Sequence, residues 1–290
     1  MSTVGKGFDK YGIREKIDIQ ALLSMIENNG GAKGLDLSGR DLSGIRLSPK
    51  VLYQIRDERK ILERPIWQNE NGGINLEGIN LSWASLARAD LSEGCLRYAD
   101  LRGSELVEVD FIDTDLRDAI FWDARCDSAV FDGAYLHGAE IFGARFLDST
   151  LCRENVGERI IQEYPTYTLP KDMKPMTDER NRFWQASKIY RHLKATFDGS
   201  GLYSDASWAY RRARRMEKYR ARVYAIDSWK KKDRKASIKY LSKYITDVFV
   251  ELLADYGESL FRVFFWVVFT WFGFAISVHS LKNLAKSRII

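Results

Sequence analysis

"ADLSEGCLRYADLRGSELVEVDF", Ala89 to Phe111, sets Leu91, Leu96, Leu101, Leu106 and Phe111 five residues apart. A helix repeats every 3.6 residues and a strand every two, so neither explains the step. Followed outward, the same step runs without a slip from Leu76 through Leu81 and Leu86, then through Leu116, Phe121, Cys126, Phe131, Leu136, Ile141 and Phe146 to Leu151. Two residues before each of these centres stands a second series of mostly small side chains, Ala84, Ala89, Gly94, Ala99 and Ser104 among them, ending at Ser149. A short period held this long marks a repeat architecture, in which each unit buries its apolar face only by stacking on its neighbours. If each unit is one side of a coil, four units close a square turn, and turns stack at about the 4.8 Å strand spacing. Large centres then fill the interior and small residues fit the corners.

The spacing, with "ADL" at Ala89–Leu91 and again at Ala99–Leu101, resembles the pentapeptide-repeat family. That resemblance implies a right-handed quadrilateral β-helix. The expected fold class is therefore a mainly β solenoid, with a helical N-terminal cap and an α-helical C-terminal region. No function follows from it, since unrelated functions share folds.

The rest of the chain divides by composition. Residues 1–73 read as a helical cap carrying three initial repeats, centred on Leu37, Leu42 and Leu47, and an insertion before the main array at 74–153. A terminal repeat exposes its open end, which such a cap covers. Residues 154–178 hold Pro165, Pro170 and Pro175 and read as a linker. Residues 179–236 read as a basic αα-hairpin broken by "DGSG" at Asp198–Gly201. Residues 237–259 carry apolar pairs at a four-residue step, the pattern of an amphipathic helix. Residues 260–281 read as a transmembrane helix, because "VFFWVVFTWFGFAISV" holds no charge over nearly the length that spans a bilayer.

Charge is unevenly spread: Lys and Arg less Asp and Glu give +2 for residues 1–73, −8 for 74–153 and +11 for 154–290. The basic runs Arg211, Arg212, Arg214 and Arg215, then Lys230, Lys231, Lys232, Arg234 and Lys235, precede the apolar segment. They are candidate contacts for anionic lipid headgroups. Positive charge on that side places the N-terminal part in the cytoplasm of a membrane-bound protein. "MSTVGKGFDKYGIREK" lacks the apolar stretch of a signal peptide.

Little in the sequence carries chemistry. His137, His192 and His279 are scattered, and Cys95, Cys126 and Cys152 lack metal-ligand spacing. The carboxylates of the array recur one residue before a centre, which makes them a repeat position and not an acid–base pair. No enzymatic activity, cofactor or metal is expected. The expected function is a membrane-anchored scaffold that presents a cytoplasmic surface to a protein partner; self-association is open and nucleic acid is disfavoured. Two alternatives stand beside it. The order of parts is similar to prokaryotic membrane proteins with a potassium-type pore, but no loop such as TVGYG follows Val278, so this chain would be a regulatory or truncated part. The acidic array also suits a DNA mimic that binds a topoisomerase, as some pentapeptide-repeat proteins do.

Overall fold

The computed structural model describes residues 14–163, 179–254 and 264–272. The chain forms two compact units: one holds the repeat array, its caps and residues 188–209, the other holds residues 178–187 and the chain from 210 onward.

In the first unit the five-residue step becomes a coil. Every centre from Leu76 to Leu151 is at most 4% exposed, so the interior is a continuous apolar column. Phe111 and Phe131, one turn apart, stack with ring centroids 5.3 Å apart. The turn after each centre is closed locally, as by Ala84 N donating to Leu81 O at 3.1 Å. Between turns, Leu81 N donates to Asp100 O, Trp83 N to Arg102 O and Asp100 N to Ile79 O, all within 2.7 to 2.9 Å. The repeated Asp or Asn has a local job. Asp90, Asp100, Asp110 and Asp115 each accept from the amide two residues on, bracing the turn.

The expectation of a mainly β molecule is corrected. Among the described residues there are no strands: the turns pair as isolated parallel bridges and not as continuous ladders, Asn80 to Asp100 to Ile120 to Glu140. The reason is geometric. A corner every five residues leaves one bridging residue per side, too few for a continuous ladder. Helix is the regular secondary structure instead, through α1 (Ile19–Asn29), α2 (Pro49–Glu58), α3 (Arg153–Val156), α4 (Glu179–Gly199), α5 (Tyr203–Lys230) and α6 (Arg234–Ala254).

Both ends of the array are covered. Asp18 caps α1 by accepting from Ala21 N, and Gly30, at φ 73°, ends it with Gly31 N bonded back to Ile26 O. Leu22, Leu23 and Ile26 of α1 and Leu52 and Ile55 of α2 are buried with Trp67, whose indole N–H donates to Glu27 at 2.8 Å. At the other end Asn155 fills the place of a further turn: its amide donates to Phe131 O at 2.7 Å and Ala134 O at 3.0 Å. Beyond it, the Tyr190 hydroxyl accepts from Ile160 N, and Tyr190 packs edge-on against Trp208.

In the second unit α5 and α6 pack through Tyr224 and Tyr240, stacked at 4.8 Å. Ser237 donates to Ala225 O at 3.1 Å. Residues 264–272 are helical and expose Phe264, Phe265, Phe269, Trp271 and Phe272. The transmembrane helix expected at 260–281 is not shown: among the described residues no helix is long and apolar enough to cross a membrane. Residues 260–263 and 273–281 lie outside the described residues, as do 164–178 of the expected linker.

Candidate functional site

The coil carries a left-handed residue two positions after each centre, where a tight turn needs positive φ. Glycine meets that need without steric cost and stands there at Gly78, Gly103, Gly133, Gly138 and Gly143. Other residues stand at the remaining ten corners from Trp83 to Asp148, and among them Trp83 (φ 61°) and Tyr98 (φ 58°) are the aromatic ones. Their rings are 62% and 51% exposed. Between these two corners runs one side of the coil. It shows Arg102, paired with Asp100 through an Nε–Oδ1 bond of 2.8 Å, and Trp122, packed edge-on against Phe142 at 6.1 Å. Large aromatics and arginine are the side chains that dominate protein interfaces.

The adjoining side is polar and recessed. The segment 64–71 overhangs it, leaving a groove of about 650 Å³ lined by Arg64, Asn69, Arg97, Asp115, Arg117 and Tyr135 among others. Arg117 donates to Asp115 at 2.8 Å, and Arg97 to the Tyr98 hydroxyl at 3.3 Å. Burial alone would raise the Asp115 carboxyl, but its bonds from Arg117 outweigh it and hold the group below the usual carboxylate range. Cys95, also in the groove, is half-buried, and burial pushes its thiol up. That is the opposite of an activated nucleophile. Among the described residues no cluster of His, Cys, Asp or Glu is placed to hold a metal ion.

The basic residues singled out from the sequence separate into two groups. Arg214 binds Asp247 at 2.9 Å and Glu217 at 3.0 Å, and Arg215 binds Glu251 at 2.7 Å, with Lys218 on the same carboxylate. These arginines join α5 to α6. Arg211 and Arg212 are half-buried on the same helix. Lys230, Lys231, Lys232, Arg234 and Lys235 are exposed around the α5–α6 turn. Asp247 and Glu251, four residues apart on α6, are the partners that the sequence reading passed over. Their spacing places both on one helix face, which was the available clue.

Residues 72–103, 84–123 and 110–148 match the family model for pentapeptide repeats, in eight copies. The matched segment is a pentapeptide-repeat array, which supports placing the chain among pentapeptide-repeat proteins. The match ends before the C-terminal helices, so an ion-channel-like membrane region is not shown. No curated protein matches the chain. Among solved structures, HetL, a pentapeptide repeat protein involved in heterocyst differentiation regulation from the cyanobacterium Nostoc sp. strain PCC 7120, is 20% identical. That match covers 47% of this chain and 50% of HetL, with a TM-score of 0.27. The chain thus spans about half the length of that structure. Rfr23 from the cyanobacterium Cyanothece 51142 is 22% identical over 39% of this chain and 85% of its own, with a TM-score of 0.25. Full-length QnrB1, a plasmid-mediated fluoroquinolone resistance protein, is 17% identical over 49% of this chain and 86% of its own, with a TM-score of 0.18. At such scores these likenesses carry no argument about function.

Proposed function

We propose that this protein is a non-enzymatic scaffold whose repeat array binds a protein partner, with its C-terminal segment holding it at a membrane. The observation that carries the reading is the display of Trp83 and Tyr98 in left-handed corners. A non-glycine residue held there costs on the order of 1 to 3 kcal/mol, and both rings remain largely exposed, so the fold gains little from them. Ten of the fifteen corners from Gly78 to Asp148 hold a non-glycine residue at positive φ, so it is the exposed aromatic bulk of these two, and not the backbone state, that points to use at the surface. The membrane part is supported by the uncharged run from Val263 to Val278 and by the exposed apolar helix at 264–272. A membrane protein, a channel subunit included, falls within the same reading as a partner.

The test is quantitative affinity purification with the full chain and with the double variant Trp83→Gly and Tyr98→Gly. The expected result is a partner recovered with the parent and lost with the variant, whose thermal unfolding stays at or above the parental midpoint. Equal recovery by both chains would sink the proposal. A second reading, topoisomerase binding by DNA mimicry, is favoured by Asp90 and Asp110, bridged to one another on successive turns, and by the net charge of −8 over residues 74–153. Inhibition of gyrase supercoiling by the purified chain would support it, and its absence would remove it.

A further inference from the structure

α6 has two different sides. One is held by α5: Asp247 and Glu251 accept from Arg214, Arg215 and Lys218, Ser237 bonds Ala225 O, and Tyr240 stacks on Tyr224. The other side carries Ile238, Leu241, Ile245, Phe249 and Leu252, spaced three and four residues apart and 45% to 66% exposed. At 3.6 residues per turn these five form a single stripe. Lys235, Lys239 and Lys243, four residues apart and all exposed, run in a row beside it. Lys230, Lys231 and Lys232 extend the positive charge to the preceding turn.

We infer that α6 is an interfacial helix that lies on an anionic bilayer surface, with the stripe from Ile238 to Leu252 in the acyl boundary and the lysine row on the headgroups. An apolar stripe flanked by lysines suits that position, because the lysine stems lie along apolar surface while their ammonium groups reach the phosphates. A second copy of the chain fits less well. Between Arg234 and Thr246 there is no Asp or Glu, so two such helices would set lysine against lysine over half their length. An anionic leaflet supplies the missing countercharge. The inference deepens the membrane part of the proposed function and rests on it only in placing the protein at a membrane.

The test is flotation of the full chain with vesicles of equimolar phosphatidylglycerol and phosphatidylcholine, against vesicles of phosphatidylcholine alone. One variant carries Lys235→Glu, Lys239→Glu and Lys243→Glu; a second carries Ile245→Ser and Phe249→Ser. All five positions are exposed and away from the α5 contacts, so unfolding midpoints serve as the control. At about five-fold per lysine lost, and more where glutamate reverses the charge, the first variant should lose at least roughly a hundredfold in affinity for the anionic vesicles. The second should weaken as well, and amide exchange over 238–252 should slow in the parent on adding anionic vesicles. Parental binding by both variants, or no preference for the anionic vesicles, would overturn the inference. So would a dimeric parent beside a monomeric Ile245→Ser and Phe249→Ser variant, since a second copy would then cover the stripe. Failure of the parent to fractionate with cell membranes would instead count against the membrane reading itself.

Discussion

Gly103 lies one turn beneath Trp83, so close that a Cβ built on the glycine would meet the indole ring at 2.5 Å. The two residues occupy equivalent corners of successive turns, and the absence of a side chain at one makes room for the ring at the other. Gly103 also has a φ of 61°, so it is needed both for its backbone and for its lack of bulk.

Gly103→Ala should therefore displace Trp83 and destabilise the array by about 1 to 3 kcal/mol, from overpacking and a strained turn together. Thermal unfolding measures the loss. Adding Trp83→Gly should recover the part due to the clash and leave the part due to φ. Strict additivity of the two substitutions would show that they do not touch.

Asn155 ends the coil by hydrogen bonding as a further turn would. Its amide satisfies two carbonyls of the last turns, and its oxygen accepts from Cys152 N at 2.8 Å. Phe131 O keeps its bond from Ala134 N at 3.0 Å, but Asn155→Ala leaves the buried Ala134 O without its donor, a cost of about 1 to 3 kcal/mol. Hydrogen exchange should quicken first near Phe131 and Ala134, while the turns around Leu86 keep their protection. Uniform quickening along the array would show that the coil opens as one unit and not from its end.

The five-residue step was legible because the column of centres depends on one property, bulk without charge, that Leu, Phe, Ile and Cys all supply. The corners were less legible. Trp83, Arg88, Glu93 and Tyr98 sit in the same backbone state as Gly103, and nothing in their chemistry announces positive φ. The mainly β expectation failed because the period itself interrupts every ladder after one bridge. The basic run "RRARR" looked uniform, yet Arg214 and Arg215 are bound by acids more than thirty residues away. The spacing of Asp247 and Glu251 puts both acids on one helix face, but nothing local to the basic run says that they face it. The stripe on α6 was visible as periodicity, but only packing shows which of its apolar residues stay exposed.

The Asp247–Arg214 pair gives a further expectation. Asp247 is 4% exposed and takes its bond from Arg214 at 2.9 Å. Arg214→Ala removes the cation and leaves a buried carboxylate. Breaking a fully buried pair costs about 3 to 5 kcal/mol, and since Arg214 is a third exposed the loss should fall below that range. Unfolding followed by a probe on α5 or α6 should report it. Asp247→Ala in the same background should restore part of the stability, because the stranded charge is then gone. No recovery would mean that Arg214 acts through packing alone.

Glu251 makes the same helix pair sensitive to acid. Burial would raise its carboxyl, but the bonds from Lys218 and Arg215, with their positive charge, outweigh burial and hold it below the ordinary glutamate value. A group depressed in the folded state binds its proton more weakly there than in the unfolded chain. It therefore contributes stability above the unfolded-state value and loses it as pH falls through the folded-state one. The α5–α6 pair should weaken on acidification below the ordinary glutamate range. Glu251→Gln should lower its stability at neutral pH and flatten the dependence at low pH. Circular dichroism of thermal unfolding at a series of pH values compares the two chains. Parallel curves would show that Glu251 does not govern the acid response and that other carboxylates of the unit do.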